Sequence, residues 1–227
     1  MQILCIETAT RACSVALGRN GIVAALKESI DEKHSHSENL TLYIEEVCRQ
    51  AGIQLKNIDA VAVSKGPGSF TGLRIGVSAA KGLCYALNKP LIAVNTLQAM
   101  AAGQTSLSID QTTLLCPLLD ARRMEAYCAV YDMKLTEVKT TSAEIITSGS
   151  FADLLSKNKV LFFGDGAEKC KSIILHPNAE FLDNIFPSAA NMIALAEKRF
   201  GEKQFEDTAY FEPFYLKDFV SGSAQRT

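Results

Sequence analysis

The stretch of this chain most suggestive of chemistry is Lys65-Gly66-Pro67-Gly68-Ser69-Phe70-Thr71-Gly72-Leu73-Arg74-Ile75-Gly76. Glycine-rich turns between a buried strand and a helix can gather backbone N–H groups around an anion. This one is not a P-loop, because no Gly-Lys pair completes the pattern. Gly66, Gly68 and Gly72 also sit one residue too far apart for a dinucleotide fingerprint. A tight turn with Thr71 as helix N-cap is therefore favoured over anion binding. Ser69 is flanked by glycines but has no identifiable base. The run His34-Ser35-His36-Ser37-Glu38 invites a metal reading, yet the only other histidine is His176 and no H-E-x-x-H is present. Polar residues around a helix start are the better account, and no metal is expected.

Two further turns occupy equivalent places in the two halves. Glu7-Thr8-Ala9-Thr10 follows the first strand, and Asp120-Ala121-Arg122-Arg123 follows the first strand of the second half. Glu7, Thr8, Thr10, Asp120 and Arg122 are thus candidates to face the phosphates of a nucleotide held between two lobes. Gly164-Asp165-Gly166 is either an ordinary turn or a place where backbone approaches a ligand closely, which adds Gly164 and Gly166 to the candidates. The seven cysteines never lie closer than eight positions apart, which excludes C-x-x-C redox and zinc spacings. Reduced core cysteines in a cytoplasmic protein are the expectation.

The elements that must position these residues repeat in order. Strands are expected at 2–6, 12–17 and 22–27, with Asn20-Gly21 as a hairpin turn. A helix follows, capped by Ser35 with Glu38 reaching back, striped by Leu40, Ile44, Val47 and Ala51, and ended by Gly52. Then come a strand at 58–64, a helix at 71–88, a strand at 91–94 and a short helix at 96–102. The second half reads as strands at 114–119, 125–131 and 135–139, a helix at 151–156, a strand at 160–164 and a helix at 168–174. A short strand at 179–182 and a helix at 189–200 complete it. Three antiparallel strands followed by αβαβα, twice, imply two related α/β lobes with a cleft between them, divided near residue 103 into 1–103 and 104–227. An aromatic tail, 210–215, must dock somewhere, and the chain is expected to fray after Val220.

The helix at 71–88 is apolar on most of its circumference, with Gly72, Gly76 and Ala80 every fourth residue and only Arg74, Ser78 and Lys81 clearly polar. Such a helix must be covered on two sides, so either it is a central core helix or one face is a partner interface, and the small residues favour close helix–helix approach. Leu42 and Tyr43 lie off the stripe of the preceding helix. Composition agrees with a folded chain: 227 residues, 48% hydrophobic, 21% charged, with no apolar run long enough to span a bilayer. A net charge of −2 argues against a strong nucleic-acid footprint on this chain alone.

Taken together, Ile6–Thr10, 66–76, Asp120-Ala121-Arg122-Arg123-Met124-Glu125-Ala126-Tyr127, Gly164–Gly166 and Pro213-Phe214-Tyr215-Leu216-Lys217 resemble the TsaB (YeaZ) family over essentially the whole chain. That family helps make threonylcarbamoyladenosine in tRNA. The tail departs slightly, with Phe214 where a smaller aliphatic residue is frequent and Lys217 where Arg is common. The resemblance implies the two-lobed actin/hexokinase/Hsp70-like (ribonuclease H-like) α/β fold, each lobe a mixed sheet with flanking helices. It also implies a non-catalytic subunit that pairs with the metal-containing, catalytic TsaD subunit and is joined by the TsaE ATPase, reaching tRNA only through the complex. No histidine lies between His36 and His176, so the paired histidines of the catalytic relatives have no counterpart. The resemblance further implies that TsaD, or a second copy forming a homodimer, packs on the first two helices. The expected contact residues are Leu40, Tyr43, Ile44, Val47, Gly72, Ile75, Gly76, Ala79 and Leu83. No cofactor and no membrane partner is expected. The alternative is a small-molecule kinase working in the interlobe cleft, for which Ala9 in place of a glycine makes a poor phosphate turn. A protease reading lacks both a metal site and a nucleophile–base pair.

Overall fold

The computed structural model describes residues 1–30, 36–107 and 110–217. Its first half forms β1 (Gln2–Glu7), β2 (Ala12–Arg19), β3 (Ile22–Ile30), α1 (His36–Gln50), β4 (Ala60–Gly66), α2 (Phe70–Leu87), β5 (Leu91–Asn95) and α3 (Thr96–Ala102). The second half forms β6 (Leu114–Asp120), β7 (Glu125–Tyr131), β8 (Glu137–Ile145), α4 (Ala152–Leu155), β9 (Val160–Phe163), β10 (Ala179–Leu182) and α5 (Ile193–Gly201). The sheets are ordered β3-β2-β1-β4-β5 and β8-β7-β6-β9-β10, so both halves have one topology. In each, the first strand pairs antiparallel with the second and parallel with the fourth; Ile3 lies beside Ala60, and Leu114 beside Val160. The β2–β3 hairpin turns at Asn20 and Gly21, both at positive φ, as an Asn-Gly turn requires.

The repeated order holds, with five local differences. The third strand of the second half is Glu137–Ile145 rather than 135–139. Asp132 ties up the amides of Lys134 and Thr136, and Leu135 turns at φ 63°. The helix expected at 151–156 shrinks to α4 because Phe151 has φ 62°. The helix expected at 168–174 is only a 3₁₀ turn, Glu168–Cys170, and the last helix begins with a 3₁₀ turn at Ala189–Met192. The cap of α2 is Ser69, whose side chain accepts from the Gly72 amide, not Thr71. The Ser35 cap, His34 and the end after Lys217 lie outside the described residues.

Packing crosses the expected division at residue 103. One face of the first sheet packs on α1 and α2 through Leu4, Ile6, Leu40, Ile44, Val47 and Val77. Its other face is covered by α5 and the 3₁₀ turn before it, through Ile3, Cys5, Ala60, Ala62, Ile92, Met192, Ile193 and Ala196. Conversely α3, from the first half, packs Leu97, Met100 and Ala101 onto Leu115, Leu119, Ala129 and Phe163 of the second sheet. Each sheet therefore takes one covering helix from the other half of the chain.

Candidate functional site

The turn Glu7–Thr10 is closed off from solvent. Glu7 and Thr8 are fully buried and Thr10 nearly so. Thr8 Oγ1 donates to the Gly72 carbonyl at 2.8 Å, the Ser69 amide donates to the Ala9 carbonyl at 2.6 Å, and His36 Nε2 meets the Thr10 carbonyl at 2.7 Å. This turn presses onto the start of α2, where a methyl at Gly68 would overlap Ala9, and one at Gly72 or Gly76 would overlap Thr8. The small residues of α2 thus make room for the chain's own turn, not for a partner helix. Glu7 Oε1 accepts from the Ala9 amide at 2.6 Å and from Ser64 Oγ at 2.8 Å, while Oε2 is buried without a hydrogen-bond partner among the described residues. Burial pushes this carboxyl up to about 7, against the lowering effect of those hydrogen bonds.

The equivalent turn of the second lobe is open. Asp120 is exposed and pairs with Lys169, whose Nζ also donates to the carbonyls of Arg123 at 2.8 Å and Glu125 at 2.6 Å. Asp165 accepts from the Asp120 amide at 3.0 Å, and burial raises its pKa. Arg122 and Arg123 are exposed at φ 69° and 50°. Gly164, at φ 109°, and Gly166 let their loop lie against β6, where Cβ atoms would strike Leu118 and Leu119. Close approach is their role, and what is approached is the chain's own strand. Among the described residues no three His, Cys, Asp or Glu side chains are grouped to hold a metal ion.

The outer side of α1 and α2 carries a groove of about 670 Å³. Ile75 and Ala79 wall it, with Phe70, Thr41 and Ser37, and Arg74 and Ser78 complete the rim. The nine expected contact residues separate here. Leu40 reaches only the floor, at 2% exposure, and Ile44, Val47, Gly72 and Gly76 are buried inside their own lobe. Those five belong to the core because the α1 stripe and the glycines of α2 are consumed by β-sheet and turn. Tyr43 is half-buried on the β3 side, its hydroxyl donating to Ser29 Oγ at 2.9 Å, and Leu83 is half-buried further along α2. Phe70 and Arg74 were missed as lining residues, although Arg74 stood in the polar strip of the helix. The Arg74 guanidinium lies 5.5 Å from the Phe70 ring centroid, and Tyr215 of the tail packs on that ring at 4.8 Å. The tail is strapped along α2: Lys81 Nζ donates to the carbonyls of Ala209 and Phe211, the Phe214 amide donates to the Lys65 carbonyl at 2.7 Å, and Lys217 pairs with Glu125. No helix among the described residues is long and apolar enough to cross a membrane.

Comparison with known proteins matches this architecture. A family model described as TsaD: tRNA N6-adenosine threonylcarbamoyltransferase matches residues 28–221. The tRNA threonylcarbamoyladenosine biosynthesis protein TsaB of Escherichia coli is 30% identical, over 97% of this chain and 96% of that protein. The tRNA N6-adenosine threonylcarbamoyltransferase of Bacillus subtilis is 40% identical over a shorter stretch, 42% of this chain and 32% of that enzyme. The fold superposes on YeaZ from Pseudomonas aeruginosa with a TM-score of 0.80 at 24% identity, covering 95% of this chain and 99% of that one. With a TsaB relative matched end to end and the two-lobed fold in common, the chain belongs to the TsaB (YeaZ) family of tRNA threonylcarbamoyladenosine biosynthesis proteins.

Proposed function

We propose that this chain is a non-catalytic scaffold or activator subunit of the assembly that forms threonylcarbamoyladenosine in tRNA. In this reading it pairs with a TsaD-like catalytic subunit, a TsaE-like ATPase joins the pair, and tRNA is engaged only through the complex. The observation that carries the reading is the groove on α1 and α2, whose wall residues Phe70, Ile75 and Ala79 are apolar and whose rim is polar. The sealed Glu7–Thr10 turn supports a non-catalytic role, since a kinase of this architecture needs that turn open to phosphates. A second copy of the chain would compete for the same groove, which makes self-association and complex formation mutually exclusive.

Ala79→Arg tests this, because an arginine in a desolvated seam leaves a buried charge unpaired at a cost of about 3 kcal/mol or more. Ala79 is the more direct position than Leu83 because it lines the groove and Leu83 does not. The folded variant, checked by circular dichroism, should fail to dimerise and should no longer be captured by the immobilised TsaD relative from the same cell. Capture at wild-type strength would place the interface elsewhere. The purified chain should release no phosphate from ATP; release that disappears in Asp120→Ala would overturn the non-catalytic assignment.

A further inference from the structure

A second cavity, of about 500 Å³, opens between the lobes, bounded by the end of β3, the residues after α3 and the loop that follows β10. Its volume is in the range that holds small molecules. Gln104 lines it at only 8% exposure, and its carboxamide makes no hydrogen bond within the described residues. A buried amide is ordinarily paired, so this one is left with both donor and acceptor to offer. Asn191 presents a second carboxamide to the same cavity, lodged against Gly103, where a Cβ would overlap it. Gly103 has an ordinary helical backbone, at φ −64°, so what the glycine provides there is room for the Asn191 carboxamide in its present position.

Glu28 supplies the charge. Its Oε2 accepts from Ser14 Oγ at 2.9 Å and from Ser188 Oγ at 2.8 Å, and Ser14 is itself held by the Ala189 amide at 2.9 Å. Two hydroxyl donors on one oxygen hold the carboxylate in one orientation. Its other oxygen has no hydrogen bond within the described residues. Among the described lining residues Glu28, itself exposed, is the one formally charged side chain, and Arg11, outside that lining, places its guanidinium 5.1 Å from the Phe186 ring centroid. A carboxylate on the wall of a concave, partly apolar site attracts a cation. Three acceptor oxygens, from Glu28, Gln104 and Asn191, match the three N–H donors of a primary ammonium group.

We propose that this interlobe cavity binds a small organic primary amine, with the ammonium on Glu28, Gln104 and Asn191 and the carbon chain against Ile185 and Phe186. The assignment is independent of the partner groove and is tested on the isolated full-length chain. Calorimetric titration with ethanolamine and with putrescine should show saturable binding to one site. The isosteric diols, ethylene glycol and 1,4-butanediol, should not bind at matched ionic strength. Glu28→Gln should weaken the amines by about tenfold or more, as expected for loss of a charge-assisted hydrogen bond. In the unaltered chain, the Gln104 side-chain amide resonances should shift during the titration, a readout that needs no variant. The proposal is overturned if neither amine binds, if the diols bind as well as the amines, or if binding leaves the Gln104 resonances in place.

Discussion

Glu7 is a carboxyl group sealed in the first lobe with one oxygen unpaired, and its pKa near 7 makes stability depend on pH. The folded chain holds the proton more tightly than the unfolded chain, whose carboxyl titrates near 4.5. The stabilisation from protonation is therefore complete below about 4.5 and lost as pH rises to about 7. A shift of this size corresponds to roughly 3 kcal/mol. Glu7→Gln keeps an acceptor for Ala9 and Ser64 and carries no charge, so its melting temperature should stay flatter across this window. Equal pH slopes in melting experiments on the two proteins would contradict the assignment. Glycines on α2 offer a second test at this scale. Gly72→Ala forces a methyl into the Thr8 carbonyl and should destabilise by about 2 kcal/mol, as overpacking does. Gly82, with open space around it, should accept Ala and gain about 1 kcal/mol from helix propensity. Denaturant midpoints of the pair distinguish a packing role from a generic helix effect.

At the scale of elements, α2 is where the molecule's connections meet. Its N-terminus takes the Glu7–Thr10 turn, its inner face buries Leu73, Val77 and Cys84, its outer face walls the groove, and its remaining flank carries the tail. This is why its sequence has so little polar surface. Lys81 is the polar exception that holds the tail, donating to two carbonyls 3.1 and 3.0 Å away. Lys81→Met keeps the aliphatic stem and removes the donors. Hydrogen exchange at the Phe211 and Phe214 amides should then speed up while exchange in β1 and β4 stays unchanged, as expected for local release of a weakly held segment. Unchanged exchange along the tail would mean that Phe211 and Tyr215 hold it without Lys81.

For the whole molecule, the exchange of covering helices between halves predicts cooperative unfolding. Residues 1–103 expressed alone would leave Ile3, Cys5, Ala60, Ala62, Ile92 and Val94 without α5, and α3 without its sheet. Six apolar side chains on one uncovered face is a sizeable loss, each worth about 1.5–3 kcal/mol for a large aliphatic residue and less for alanine. The fragment should show no cooperative thermal transition, and the full chain should show one, with calorimetric and van't Hoff enthalpies in agreement. A fragment 1–103 that melts cooperatively would show that residues 1–103 form an independent folding unit.

Much of the architecture was legible in the residues alone. Alternating and continuous apolar runs marked both sets of strands, Asn20-Gly21 required its hairpin, and the α1 stripe predicted the buried face, because these patterns follow from backbone geometry within a few residues of one another. The motifs from Glu7 to Lys217 also carried the family. Tertiary structure alone decided which face each small or polar residue would serve. Gly72 and Gly76 read as space for another helix, and Thr8, sixty-four residues before Gly72, takes that space instead. Glu7, Thr8 and Thr10 had the types of a ligand turn and became core once α2 closed over them. Gln104 and Glu28 drew no attention in the sequence, since what sets them apart is the cavity that distant loops enclose. Spacing along the chain reports local periodicity, whereas solvent access depends on contacts between residues far apart in sequence, and those form only when both sheets have exchanged their helices.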